Sequence, residues 1–307
     1  MDKLRKTILI FTAALSLFAA ACAKSSSSDS ESSSGTDSES SSQTSSESIS
    51  ENSSFQSESK PEEKVMGEKI KKAAAFFENP SYEYVCTVKG IGRDAKITLL
   101  KDKGIIRQTT DYGDIKSYVV CTGNTTYRYD DKTKAFSRKV GEINDDPTGN
   151  LIVQTVKQSL EPTKTHIDPE ESKKYDAEEY TYTAGTYITV LDFYFDKTTG
   201  ELKKYTVTYS IEGRDNQVET REIEKMSAAP VNVPAFSEKE LTDKGYVHFE
   251  GFTDEKREEF CRQVMRDNKI TNDTLYDVGL TTYDLKSVSY SDFASAVIAA
   301  GAKTAEK

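Results

Sequence analysis

The spacing of apolar residues changes character several times along the chain. Thr7 to Phe18 is an unbroken apolar run, TILIFTAALSLF, followed by Ala19, Ala20, Ala21 and Cys22. From Ser25 to about Lys60 apolar residues almost vanish, and serine is interspersed with Asp, Glu, Thr and Gln. Pro61 opens PEEKVMGEKIKKAAAFFENP, where Met66, Ile70, Ala73 and Phe77 recur at helical spacing and Pro80 closes the segment. Pro61 and the acidic pair Glu62 and Glu63 suit a helix start.

Beyond Pro80 the period drops to two. Tyr82, Tyr84, Cys86 and Val88 alternate with more polar neighbours, and the turn Gly90-Ile91-Gly92 leads to Ala95, Ile97 and Leu99. Further short strands are expected over Ile105–Thr110, Lys116–Thr122, Thr125–Tyr129 and Ala135–Val140, joined by tight polar turns. A helix is expected from Asp146-Pro147 to Leu160, with Leu151, Ile152, Thr155 and Val156 on its apolar face. Strands resume over Tyr175–Tyr182, Tyr187–Phe195, Glu201–Ile211 and Gln217–Lys225. Asp196-Lys197-Thr198-Thr199-Gly200 reads as a hairpin loop with Gly200 at positive φ. Pro230 and Pro234 mark a boundary. Helix signals then return, over Asp254–Arg266 with Phe260, Cys261, Val264 and Met265 inward, and in a last helix capped by Ser291 with Phe293, Ala294, Val297 and Ile298 on its apolar side.

These patterns divide the 307 residues into four stretches. Residues 1–21 carry the basic start Lys3, Arg5 and Lys6 and an apolar core shorter than a membrane span, as an export signal does. Small residues directly before Cys22 resemble the lipobox of bacterial lipoproteins, with Ala19 where that family usually has Leu. The resemblance implies a diacylglyceryl group on the Cys22 thiol, cleavage before it, and a protein held at the outer face of the cell membrane. Residues 22–60 then form a Ser-rich, acidic tether, too poor in apolar surface to offset its ordering entropy. As a flexible chain it spans about 35 Å on average and about 125 Å at full stretch. Spacers of this kind resemble those of Gram-positive lipoproteins. Residues 61–228 form the β-rich domain and 229–307 a mostly helical C-terminal extension.

The order of elements in the β-rich domain, an N-terminal helix before a long antiparallel meander, resembles the LolA-like fold of lipoprotein carrier and sensor proteins. Two stretches carry the resemblance: TTYRYDDKTKAF, Thr125 to Phe136, and FYFDKTTGELKKY, Phe193 to Tyr205. The expected class is therefore α+β: a curved antiparallel sheet, the LolA-like half-barrel, with an N-terminal helix and helices on its concave side, plus the helical C-terminal extension. The resemblance implies a binding function. Tyr84, Cys86, Val88, Ile97, Leu99, Tyr127, Tyr129, Leu191, Phe193 and Phe195 are the candidates to line the concave face and meet a lipid or acyl chain. The alternative is a cell-envelope interaction or sensor protein whose surface binds another protein or a glycan.

Charge and chemistry narrow the choice. The net charge is −10, and residues 1–21 contribute +2, which leaves −12 after cleavage. That balance excludes nucleic acid and electrostatic docking on anionic lipid, so the bilayer is a partner only through the anchor. No cofactor, metal or enzyme signature is present. His166 and His248 form no ligand pair, there is no Cys-x-x-Cys, and Gly90-Ile91-Gly92 lacks the third glycine of a nucleotide loop. The carboxylate pairs Asp111/Asp114, Asp130/Asp131 and Asp145/Asp146 fall where turns are expected, and Asp267–Asp273 lacks the glycine and terminal glutamate of an EF-hand. Cys86, Cys121 and Cys261 read as small hydrophobes rather than disulfide partners.

Overall fold

The computed structural model describes residues 67–141, 150–158, 162–164, 170–184, 186–211 and 215–305. Cys22, the tether, Met66, Asp145, Asp146, Leu160 and His166 lie outside them. The chain is α+β, built on one open, curved sheet of twelve strands.

Six strands form a first meander: β1 (Tyr82–Lys89), β2 (Ala95–Asp102), β3 (Ile105–Asp111), β4 (Lys116–Thr122), β5 (Thr125–Asp130) and β6 (Ala135–Val140). Five form a second: β7 (Pro162–Lys164), β8 (Tyr175–Ala184), β9 (Tyr187–Asp196), β10 (Leu202–Ile211) and β11 (Gln217–Ser227). The first and last of these long strands, β1 and β11, pair antiparallel and join the two meanders into one sheet. The register shifts between Val85 and Cys86, a bulge that sharpens the local twist. Two strands were not anticipated. Pro162–Lys164 edges β8, and β12 (Val247–His248) adds parallel to β6 at the opposite edge. Both are too short to show a period of two.

Each face of the sheet has its own cover. Helices α1 (Glu68–Ala75) and α2 (Leu151–Lys157) lie on the face carrying Tyr84, Leu99, Phe193 and Tyr205, called here the inner face. The helix expected from Pro61 begins, within the described residues, after Gly67, whose φ of 88° breaks helical geometry. A glutamate on β8 then caps α1. Glu178 is 6% exposed, and its carboxylate accepts the backbone N–H groups of Ile70 (3.1 Å) and Lys69 (3.4 Å) and the hydroxyl of Tyr180 (2.9 Å). Lys69 also pairs with Asp176 on the same strand. Orphan N–H groups at a helix start favour a negative partner, so the β8 carboxylate fixes where α1 docks. Helix α2 is capped by Asn150, whose side chain accepts from Ile152 N at 3.0 Å, rather than at Asp146-Pro147.

After β11 the chain crosses to the opposite, outer face. Val231 N donates to Ser81 Oγ (3.1 Å), and Phe236 packs on Tyr127 and Tyr129 with ring centroids 4.8 and 6.0 Å away. With α3 (Glu238–Asp243) and Tyr246 it covers Val120, Tyr129 and Phe136. Helices α4 (Asp254–Asp267), α5 (Asn272–Asp277) and α6 (Tyr290–Ala305) form a further core around Phe249, Cys261, Leu275, Leu285 and Phe293. Ser291 does not cap the last helix. Ser289 does, accepting from Asp292 N at 3.1 Å, and Ser291 lies inside the first turn.

The turn aspartates hold this extension as well as their own loops. Asp130, fully buried, accepts Lys132 N (2.9 Å), Thr133 N (2.7 Å) and the Tyr290 hydroxyl of α6 (2.6 Å), while Asp131 accepts the Tyr246 hydroxyl (2.6 Å). Asp111 closes its turn through Gly113 N (2.8 Å), and Asp114 pairs with Arg93. Asp196 accepts Thr198 N and Thr199 N at 2.9 and 2.8 Å, and Gly200 has φ 69°. Cys86 and Cys261 are buried and Cys121 half-buried, none in a disulfide. Cys86 on β1 and Cys121 on β4 are three strand spacings apart, about 14 Å, twice the reach of a bridge. Among the described residues no helix is long and apolar enough to cross a membrane, and no group of His, Cys, Asp and Glu could hold a metal ion.

Glu178→Ala should strip the cap from α1 and leave buried N–H groups unpaired, lowering unfolding free energy by about 2 kcal/mol in urea titrations. Glu179→Ala, one residue on and facing out, should cost less than about 0.5 kcal/mol.

Candidate ligand-binding face

The pairing register decides which side chains share the inner face. Residues directly opposite one another in neighbouring strands point the same way, and a step of one residue reverses the direction. Tyr84 pairs with Leu99, Leu99 with Gln108, Gln108 with Val119, and Val119 with Arg128. In the other direction Val88 pairs with Arg221, Arg221 with Tyr205, and Tyr205 with Phe193.

Eight of the ten candidate residues therefore come together. Tyr84, Cys86, Val88, Leu99, Leu191, Phe193 and Phe195 are buried in one core with Tyr180, Leu202, Tyr205 and Val207, and Ile97 packs against its margin. Ile70, Ala74 and Phe77 of the N-terminal helical segment and Leu151 and Ile152 of α2 cover this set. Tyr127 and Tyr129 do not belong to it. Arg128 is the inward residue of β5, so its two neighbours point to the outer face and lie under Phe236 and Tyr246. The motif around Thr125 has the right period but the wrong parity for an inner lining.

The inner face is graded along its strands. Its apolar end is aromatic: Phe77 meets Tyr82 at 5.5 Å and Tyr84 at 5.3 Å, with Phe195 and Leu202 beside them. The opposite end is polar. Glu219 and Arg221 are two apart on β11 and so face inward together. Arg221 Nε donates to Glu219 Oε1 at 2.6 Å, and Arg221 Nη1 to the Tyr205 hydroxyl at 3.1 Å. The Glu219 side chain is 5% exposed and that of Arg221 20%. Charges this sheltered persist only when paired.

Phenols and a thiol surround the pair. The Tyr84 hydroxyl is buried and has no nitrogen or oxygen partner; its polar neighbour is the Cys86 thiol. Burial pushes the Tyr84 and Tyr205 phenols well above their ordinary range, Tyr209 up to about 12, and the Cys86 thiol upward as well. All four remain protonated at physiological pH, as hydrogen-bond donors and not nucleophiles.

Glu178, Tyr205, Tyr209, Glu219 and Arg221 are the residues that sequence reasoning missed. In QVETREIEKM, charged residues occupy both parities, so alternation gives no sign that Glu219 and Arg221 are the inward ones. The position of Val88 opposite Arg221 supplies that sign, and only the β1–β11 pairing creates it.

The sequence matches no known protein family and no curated protein. Among solved structures it is similar to a LolA superfamily protein from Nitrosomonas europaea, at 8% identity and a TM-score of 0.26, over 58% of this chain and 95% of that one. A likeness at that level bears on neither ligand nor function.

The raised phenols set the alkaline behaviour. Protons leave the unfolded tyrosines near pH 10, before they leave the buried ones, so folding stability is intact below about pH 10 and falls as pH rises toward 12 and beyond. Ultraviolet phenolate titration should show these tyrosines ionising only together with loss of the β-sheet circular dichroism signal.

Proposed function

We propose that this chain is a lipid-anchored binding protein of the cell envelope that takes a hydrophobic ligand, a lipid or acyl chain, on the inner face of its curved sheet. The observation that carries the proposal is the cover of that face. A continuous apolar surface from Leu99 to Leu191 lies beneath helices of only eight and seven residues. Helices so short are unstable alone and keep their shape only through contacts. Helix α1 depends on one buried carboxylate at its start, so its cover can be exchanged for ligand at modest cost.

The magnitudes permit useful affinity. An acyl chain of about fourteen methylenes gains roughly 11 kcal/mol when buried, and association costs of about 4–15 kcal/mol offset much of it, which leaves micromolar binding within reach. The order of elements along the sequence, with its resemblance to carrier proteins, agrees with this use of the face.

The anchor supplies the location. Cys22, behind an export signal and ahead of a long acidic tether, would hold the domain on the extracytoplasmic side of the membrane and let it sweep the envelope.

Two measurements test the two halves. Full-length protein extracted with organic solvent after purification should release acyl lipid at near-equimolar amount by mass spectrometry; a lipid-free extract of folded protein overturns the ligand. Labelled palmitate should enter the wild-type chain and not Cys22→Ser, which should move to the soluble fraction. Equal membrane retention of both overturns the anchor.

A further inference from the structure

We infer that the polar end of the inner face is an anion subsite, where Arg93 and Arg221 receive the carboxylate or phosphate head of the acyl ligand. The inference rests on the hydrophobic-ligand reading above and deepens it by naming the charge of the ligand's head.

Three observations carry it. First, a cationic donor there is buried and unused. The Arg93 side chain is 17% exposed. Its Nη2 donates to the Tyr112 carbonyl at 3.2 Å and pairs with Asp114, whereas its Nη1 is buried without an acceptor. A sheltered guanidinium N–H left unpaired costs more than a neutral donor does, and an oxyanion is the acceptor that suits it best. Second, Arg93 belongs to the inner face and shares a cluster with Arg221. Cys86 pairs with Ile97, Ile97 with Thr110 and Thr110 with Ser117, so Ser117 points inward. The Tyr112 phenol bonds to Ser117, and the Arg93 guanidinium lies over the Tyr112 ring, 5.7 Å from its centroid. Arg93, Arg221 and Glu219 all act electrostatically on that phenol. Third, the sheltered charge is positive. Arg93 and Arg221 face one sheltered carboxylate, Glu219. The fourth charge, Asp114, is 49% exposed, so water already screens it, and it can leave Arg93 for solvent when a ligand oxyanion takes its place. The tail then runs back along β2, over Ala95 and Ile97, toward Leu99 and its neighbour Tyr84.

Three probes of equal chain length separate the terms: dodecanol, laurate and dodecyl phosphate, each radiolabelled and measured by equilibrium binding to the full-length protein at about pH 8, where both acidic heads are ionised. Wild type should hold at least one of the anions about tenfold tighter than dodecanol, and the tighter of the two identifies the head. Arg93→Gln should lower that anion-to-dodecanol ratio to near unity. Asp114→Asn removes the competing carboxylate and should raise the ratio about threefold. Asp111→Asn removes a charge from the same turn but not from Arg93, and should leave the ratio as in wild type. Dodecanol bound as tightly as both anions would overturn the subsite and leave the apolar face standing. So would an Arg93→Gln ratio equal to that of wild type, or an Asp114→Asn ratio no higher than that of Asp111→Asn. Failure of all three probes to bind would overturn the hydrophobic-ligand reading itself, and the subsite with it.

Discussion

The antiparallel pairing of β1 with β11 is the constraint on which the rest of the molecule depends. Each strand belongs to a meander built of local hairpins, and neither meander contains a closed core. Joining them places Tyr84 beside Met226, Cys86 beside Ile223 and Val88 beside Arg221, residues more than 130 positions apart in the chain. The bulge at this seam adds twist where the sheet must curve. Loop-closure entropy makes such a pairing costly to form, and only the burial it completes offsets that cost.

Two faces with different covers follow from the seam. The inner face receives short helices, one held by a buried glutamate, and retains a polar end where a charge pair sits against apolar strands. The outer face of the first meander is closed by the extension, through Phe236, Leu241 and Tyr246, and fastened by Asp131. The large helical core packs at β6, against Ala135, and Asp130 holds α6 there. The short helices over the inner face are its lighter cover, and local opening is drawn from the least stabilised elements.

The buried pair of Glu219 and Arg221 does not serve stability well, because desolvating both charges consumes much of what their attraction returns. A hydrophobic pair of similar size would pack without that penalty.

The strands of both meanders other than β7, the helix ahead of them, the hairpin at Asp196 and the helical C-terminus were all legible in the sequence, because each rests on local periodicity, turn residues or a cap. Eight of ten candidate lining residues were legible for the same reason: alternation marks one side of a strand as apolar. Alternation does not say which side of the sheet that is. Tyr127 and Tyr129 alternate as well as Tyr84 does, yet face outward, because parity is inherited through four successive pairings from β1. The short strands β7 and β12, the Glu178 cap and the inward turn of Glu219 and Arg221 were likewise decided only by tertiary structure. Each depends on a partner distant in the chain, and a charged residue carries no mark of its direction until that partner is in place.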